Sequence, residues 1–200
     1  MSAAALEFWF EFASSYSYPA AMRIERIAHA RGVPVVWRPF LLGPIFAAQG
    51  WRDSPFNIYP VKGQYMWRDL ERVCAKEGVA LRRPTRFPRS GLLAARVASA
   101  AADEPWLAEF VRAVYRANFA EDREISEPEV IGAVLKSLGV APTIWLGRAQ
   151  EAAMKDRVRQ QTEAAQARGI FGAPSFVVGE ELFWGNDRLE DALDWYLHRR

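Results

Sequence analysis

Hydrophobic residues lie in short dense runs near both ends of the chain and in helical stripes between them. Leu6–Phe12, LEFWFEF, is aromatic enough to read as a buried strand. A helix is expected from about Pro19, whose fixed φ suits a first turn, with Ser17 as a candidate cap. Ala20, Ile24, Ile27 and Ala28 form its apolar stripe, and Gly32 is a plausible stop. VPVVWRPF, residues 33–40, then reads as a second strand, parallel to the first with a right-handed crossover. From about Pro60 to Arg168 the pattern is helical throughout. SEPE at 126–129 has the form of a capping box, and a long stretch runs from about Pro142 to Gly169. Strand character returns in PSFVVGEELFWG, 174–185, a hairpin turning at Gly179–Glu180. NDRLEDALDWYL closes the chain as a helix with Leu189, Ala192, Leu193, Tyr196 and Leu197 on one face.

The order is β-α-β, a helical insertion, then β-β-α. Without the insertion it is the thioredoxin arrangement, an α/β fold. Residues 1–42 and 169–200 are expected to make the thioredoxin-like domain, and 43–168 the inserted helical domain.

Composition narrows the function. With 26 basic and 24 acidic residues the net charge is only +2, and the basic residues are scattered, which argues against a nucleic-acid partner. One cysteine, Cys74, excludes an internal disulfide or a Cys-x-x-Cys redox pair. No apolar run is long enough to cross a bilayer, and Glu7 and Glu11 interrupt the apolar start. A cytoplasmic location without membrane contact is therefore expected. His29 and His198 make no metal pattern, and neither a Gly-rich phosphate loop nor a Gly-x-Ser-x-Gly elbow occurs.

The chemistry points to the turn EFASSYSYPA, Glu11–Ala20. In a thioredoxin layout this turn lies at the N-terminus of the first helix, where free amides and the helix dipole favour an anion. Redox members of the fold carry Cys-x-x-Cys there; here the tetrapeptide is SSYS, 14–17. These serines either cap the helix or donate to a thiolate brought by a ligand. Lowering a thiol pKa from about 8.5 by two units takes roughly 2.7 kcal/mol. A hydrogen bond to a charged group supplies about 1.5–3 kcal/mol and a helix N-terminus about 0.3–1 more, so the two suffice.

EFASSYSY resembles the D-F-x-S-P-[YF]-[SA]-Y segment of 2-hydroxychromene-2-carboxylate isomerases and kappa-class glutathione transferases. GIFGAPSFVVGEELFWGNDRLE, 169–190, is similar to their C-terminal signature, and YPVKGQYMWRDLER, 59–72, to their P-x-K-x-x-Y-x-x-x-D helix. The three motifs, in order, span essentially the whole chain. The resemblance implies a DsbA-like thioredoxin fold, a homodimer, glutathione as cofactor and Ser14 as the group that stabilises its thiolate. Ser15 stands where the family has proline. Pro174 falls on the cis-proline, so that Ala173 would offer its backbone to the cysteinyl part of glutathione. Asn186 and Asp187 would take its γ-glutamyl end, with Arg188 orienting Asp187, although Asp187 and Glu190 also read as a helix cap and its partner. Lys62 would meet a glutathione carboxylate or is simply a solvated lysine. Asn57 is placed in the loop that contacts glutathione or substrate. Trp51, Phe56 and Tyr59 are wall or packing residues.

The activity implied is glutathione-dependent isomerisation of 2-hydroxychromene-2-carboxylate, a small aromatic carboxylate, to trans-o-hydroxybenzylidenepyruvate in aromatic catabolism. A kappa-like transferase and a glutathione-binding module without turnover are the alternatives.

Overall fold

The computed structural model describes residues 5–198. Strand β1 (Leu6–Phe10) leads into α1 (Ser17–Ala30) and β2 (Val35–Pro39). Helices α2 (Leu42–Ala48), α3 (Pro55–Ile58), α4 (Pro60–Glu77), α5 (Leu92–Ala100), α6 (Leu107–Phe119), α7 (Pro128–Ser137), α8 (Pro142–Gln150) and α9 (Ala152–Ala167) follow. The hairpin β3 (Ser175–Val178) and β4 (Glu181–Trp184), a 3-10 turn (Asn186–Arg188) and α10 (Leu189–His198) complete the described chain.

Among the described residues the strands form one sheet in the order β2-β1-β3-β4. β1 and β2 are parallel, with Leu6 opposite Val35, whereas β3 is antiparallel to both β1 and β4. The first two strands therefore come from the start of the chain and the last two from its end. Alternation along β1 sorts its side chains. Leu6, Phe8 and Phe10 enter the main core with Ile24 of α1, Phe176 of β3 and Leu193 of α10. Trp9, on the opposite face, packs with Val177, Phe40, Ile45 of α2 and Ala165 of α9. The main core continues without a break into α4–α8 through residues such as Met66, Val97, Tyr115 and Leu135.

Several local expectations change. β1 ends at Phe10 rather than Phe12, because Glu11 and Phe12 already belong to the turn. Ser17 is not the cap of α1; it lies buried in the first turn, and its backbone N–H goes to the Ser14 hydroxyl. The SEPE segment makes no capping box, since Ser126 Oγ donates to Glu124 and α7 starts at Pro128 without a side-chain cap. The stretch from Pro142 onward is two helices, broken where Glu151 adopts extended ψ. Asp187 and Glu190 do not form a cap and box; Glu190 pairs with Arg23 instead. The hairpin turn falls where expected, with Gly179 at φ 63°.

Candidate active site

The turn between β1 and α1 is built by Glu11. Its backbone carbonyl accepts the Ser14 N–H at 2.9 Å, and its carboxylate accepts the Ala13 N–H at 3.0 Å. The Tyr115 hydroxyl donates to the same carbonyl at 2.8 Å, and Asn118 Nδ2 donates to the Phe12 carbonyl at 3.1 Å. Burial pushes the Glu11 carboxyl up to about 8 against the opposing Ala13 hydrogen bond, so it is largely neutral at pH 7. Arg89, itself buried, holds Asn118 and Asp122 from behind. The catalytic-looking turn thus rests on a buried polar network.

This support aims Ser14 at the other half of the sheet. Its Oγ accepts the Ser17 N–H at 3.3 Å, as an N-cap does three residues on, and donates to the Ala173 carbonyl at 2.9 Å. The Ala173–Pro174 peptide is cis, and the backbone N–H groups of Ala173, Ser15 and Tyr16 have no partner among the described residues. One hydroxyl, three unpaired amides and the positive end of a fourteen-residue helix converge here. Ser15 points the other way: it is buried, and its Oγ has no hydrogen-bond partner. Of the pair, Ser14 is the half-buried one, and its hydroxyl is the one that meets Ala173.

The remaining residues flank this centre. Tyr16 donates its hydroxyl to Asp69 at 2.9 Å, fastening α4 to the turn, and burial followed by the Asp69 carboxylate raises its pKa. Lys62 is exposed at the start of the same helix and makes no ion pair among the described residues. Asn57 in α3 spends its amide on Asp53 and the Phe87 carbonyl. The Phe56 ring lies tilted beside Tyr16 with centroids 6.3 Å apart, whereas Trp51 packs on Phe46. At the far side Asn186 is buried, with its Oδ1 and carbonyl facing Arg23. Asp187 is exposed and lies 3.2 Å from Arg188, which also pairs with Asp191. Gly185, at φ 120°, permits this, because a Cβ there would sit 2.5 Å from Asp187 Oδ1.

Sequence reasoning did not single out Arg23, Glu11 or the Tyr16–Asp69 bond. Arg23 looks like an ordinary helix arginine until α10 folds against it. Tyr16 and Asp69 both stand inside quoted motifs, so that pairing had a signal. The one cysteine, Cys74, is buried in α4, and burial pushes its thiol up to about 11, which makes it inert as a nucleophile.

Residues 5–196 match the family described as DSBA-like thioredoxin domain. The chain belongs to that family. It is 29% identical to a 2-hydroxychromene-2-carboxylate isomerase of Sphingobium xenophagum, over 96% of this chain and 97% of that protein. It is 25% identical to glutathione S-transferase kappa 2 of Caenorhabditis elegans, covering 95% and 90% of the two chains. A solved 2-hydroxychromene-2-carboxylate isomerase structure superposes with a TM-score of 0.87 at 26% identity, covering 98% of this chain and 95% of that one. These relatives carry isomerase and glutathione-transferase names. No helix among the described residues is long and apolar enough to cross a membrane.

Proposed function

We propose that this protein is a glutathione-dependent isomerase that interconverts 2-hydroxychromene-2-carboxylate and trans-o-hydroxybenzylidenepyruvate. The observation that carries the reading is the convergence of Ser14 Oγ, the unpaired Ser15, Tyr16 and Ala173 amides and the α1 N-terminus beside a cis proline. These groups fit glutathione: the Ala173 N–H is free to pair with an extended peptide, and Ser14 offers a hydrogen bond to an anion. Asn186, Asp187 and Arg188 would hold its γ-glutamyl end, Lys62 a carboxylate, and Pro174 the backbone alignment at Ala173. Asn57, already committed to Asp53 and Phe87, has its amide oxygen left for a contact.

Glutathione bound there would supply a thiolate nucleophile: once the hemiketal ring C–O bond has opened, with the 2-hydroxyl proton passing to the phenol oxygen, the thiolate would add reversibly to the open-chain enone, letting its double bond become single, rotate and re-form as the thiolate leaves. Ser14 would turn its hydroxyl from the Ala173 carbonyl to the sulfur, and the helix terminus would oppose its protonation. No net proton is consumed, so the protein's task is to hold charge and orientation. The aromatic-catabolic role, a cytoplasmic location and a homodimer belong to the same proposal.

The test is the ultraviolet thiolate absorbance of bound glutathione near neutral pH. Wild type and Ser15→Ala should show the band, and Ser14→Ala should lose it while still binding the tripeptide. An unchanged band in Ser14→Ala would remove Ser14 from the role. The kappa-class likeness supports a second reading, a transferase that forms a stable conjugate; parallel isomerase and chlorodinitrobenzene assays separate the two. Saturable glutathione binding without either activity would point to a binding module.

A further inference from the structure

The hydrogen bonds around Ser14 close into a ring that passes through a residue not yet given a role in binding. Ser14 Oγ donates to the Ala173 carbonyl, and the next carbonyl, that of Pro174, accepts the Gly185 N–H at 3.0 Å. Asn186 follows Gly185, and Arg23 donates to both its backbone carbonyl and its Oδ1, the latter at 3.3 Å. Arg23 belongs to α1, whose first residue, Ser17, gives its N–H back to Ser14 Oγ. Six residues along a helix are about 9 Å, the reach from Ser17 to Arg23. The Ser14 turn and the start of α10 are therefore one hydrogen-bonded frame, which Arg23 closes.

As nothing more than a tie between α1 and α10, Arg23 is costly. Its side chain is only 7% exposed, its Nε is buried without a partner, and its charge is met by Glu190, whose carboxylate is partly in solvent. Ile24 of α1 and Leu193 of α10 already share the main core, and a buried ion pair adds little stability that apolar packing would not. What an apolar residue could not supply is direction. A guanidinium carries only donors, so the Asn186 amide must turn its oxygen to Arg23 and its NH2 group away. Asn186 is buried as a residue, yet its Nδ2 makes no hydrogen bond among the described residues and, unlike Arg23 Nε, is not sealed from solvent. Beside it stands the exposed Asp187 carboxylate. A fixed donor next to an anion complements a zwitterionic amino-acid end.

We propose that Arg23 is a positioning residue for ligand recognition: it holds the Asn186 amide so that Nδ2 donates to the α-carboxylate of a γ-glutamyl group, while Asp187 takes the adjoining ammonium. This rests on the glutathione reading above and adds to it a residue and a polarity.

Calorimetry on the full chain tests it with three probes: glutathione, 4-aminobutanoyl-Cys-Gly, which lacks the α-carboxylate, and glutaryl-Cys-Gly, which lacks the ammonium. Wild type should bind glutathione about ten-fold more tightly than 4-aminobutanoyl-Cys-Gly, as a hydrogen bond to a charged group predicts. Arg23→Met should lose that preference, weakening glutathione about ten-fold while leaving 4-aminobutanoyl-Cys-Gly, the discrimination against glutaryl-Cys-Gly and the thiolate band of the bound tripeptide unchanged. Asn186→Asp keeps an oxygen for Arg23, and so the frame, but turns the donor into an acceptor; it should lose the same preference, and it decides the matter if Arg23→Met does not fold. Equal weakening of all three probes in Arg23→Met would make Arg23 a structural tie only and overturn the inference. So would an undiminished carboxylate preference in either variant, or none in wild type. A wild type that binds none of the three would instead sink the glutathione reading, and this inference with it.

Discussion

Glu11 is a carboxyl held far above its ordinary titration range. It is buried, accepts one backbone N–H, and has its carboxyl raised from 4.5 to about 8. The native state therefore holds a proton that the unfolded chain has lost. The stabilisation is complete below pH 4.5 and is lost as pH rises through about 8, so stability should fall across that window. At pH 7 the loss is on the order of 3 kcal/mol. Glu11→Gln keeps an oxygen for the Ala13 N–H and cannot ionise. It should flatten the pH dependence and raise Tm at neutral pH, as checked by thermal melts from pH 4.5 to 8.5 on both proteins. Identical pH profiles would show that the carboxyl is not the titrating group. Ser14 and Ser15 make the complementary point: adjacent residues of one type, of which one meets Ala173 and the other is turned into the core.

Elements hold the site by close contacts rather than by long ones. Helix α3 lies on α4 where Gly63 leaves room: a Cβ there would come within 2.2 Å of the Phe56 backbone carbonyl. Gly63→Ala must push α3 outward, carrying Phe56 from Tyr16 and Asn57 from Phe87. A destabilisation of about 1–3 kcal/mol is expected, with weakened glutathione binding, measured by urea denaturation and calorimetry. On the opposite side Arg89 joins the loop before α5 to α6 through Asn118, and to Asp122 beyond it. Replacing Arg89 by methionine leaves the Asp122 and Asn118 acceptors short of a donor. A lower urea midpoint should follow in the same denaturation measurement, tempered by the Thr85 donors that Asp122 keeps. Arg23 performs the equivalent service for Asn186 and Glu190, tying α1 to the start of α10.

Across the whole molecule, the sheet is assembled from both ends of the chain while the helices between them share its main core. Phe8, Val97, Tyr115, Leu135 and Leu193 belong to one continuous apolar cluster. The protein should therefore unfold in a single transition, with tryptophan fluorescence and far-ultraviolet circular dichroism coinciding in urea. Two separated transitions would mean that the helical segment folds independently. The sequence alone determined the element order, the central strands, the serine turn and the absence of a cysteine pair, because hydrophobic periodicity and residue chemistry are local properties. Gly179 and the α10 face were legible for the same reason. Only the tertiary structure decided which serine faces Ala173, that Glu190 serves Arg23 rather than a helix cap, and that Arg23 meets the Asn186 amide. Each of those depends on groups brought together across more than fifty residues. Which partner a polar side chain takes is settled by packing, since local pattern sets only which partners are chemically acceptable.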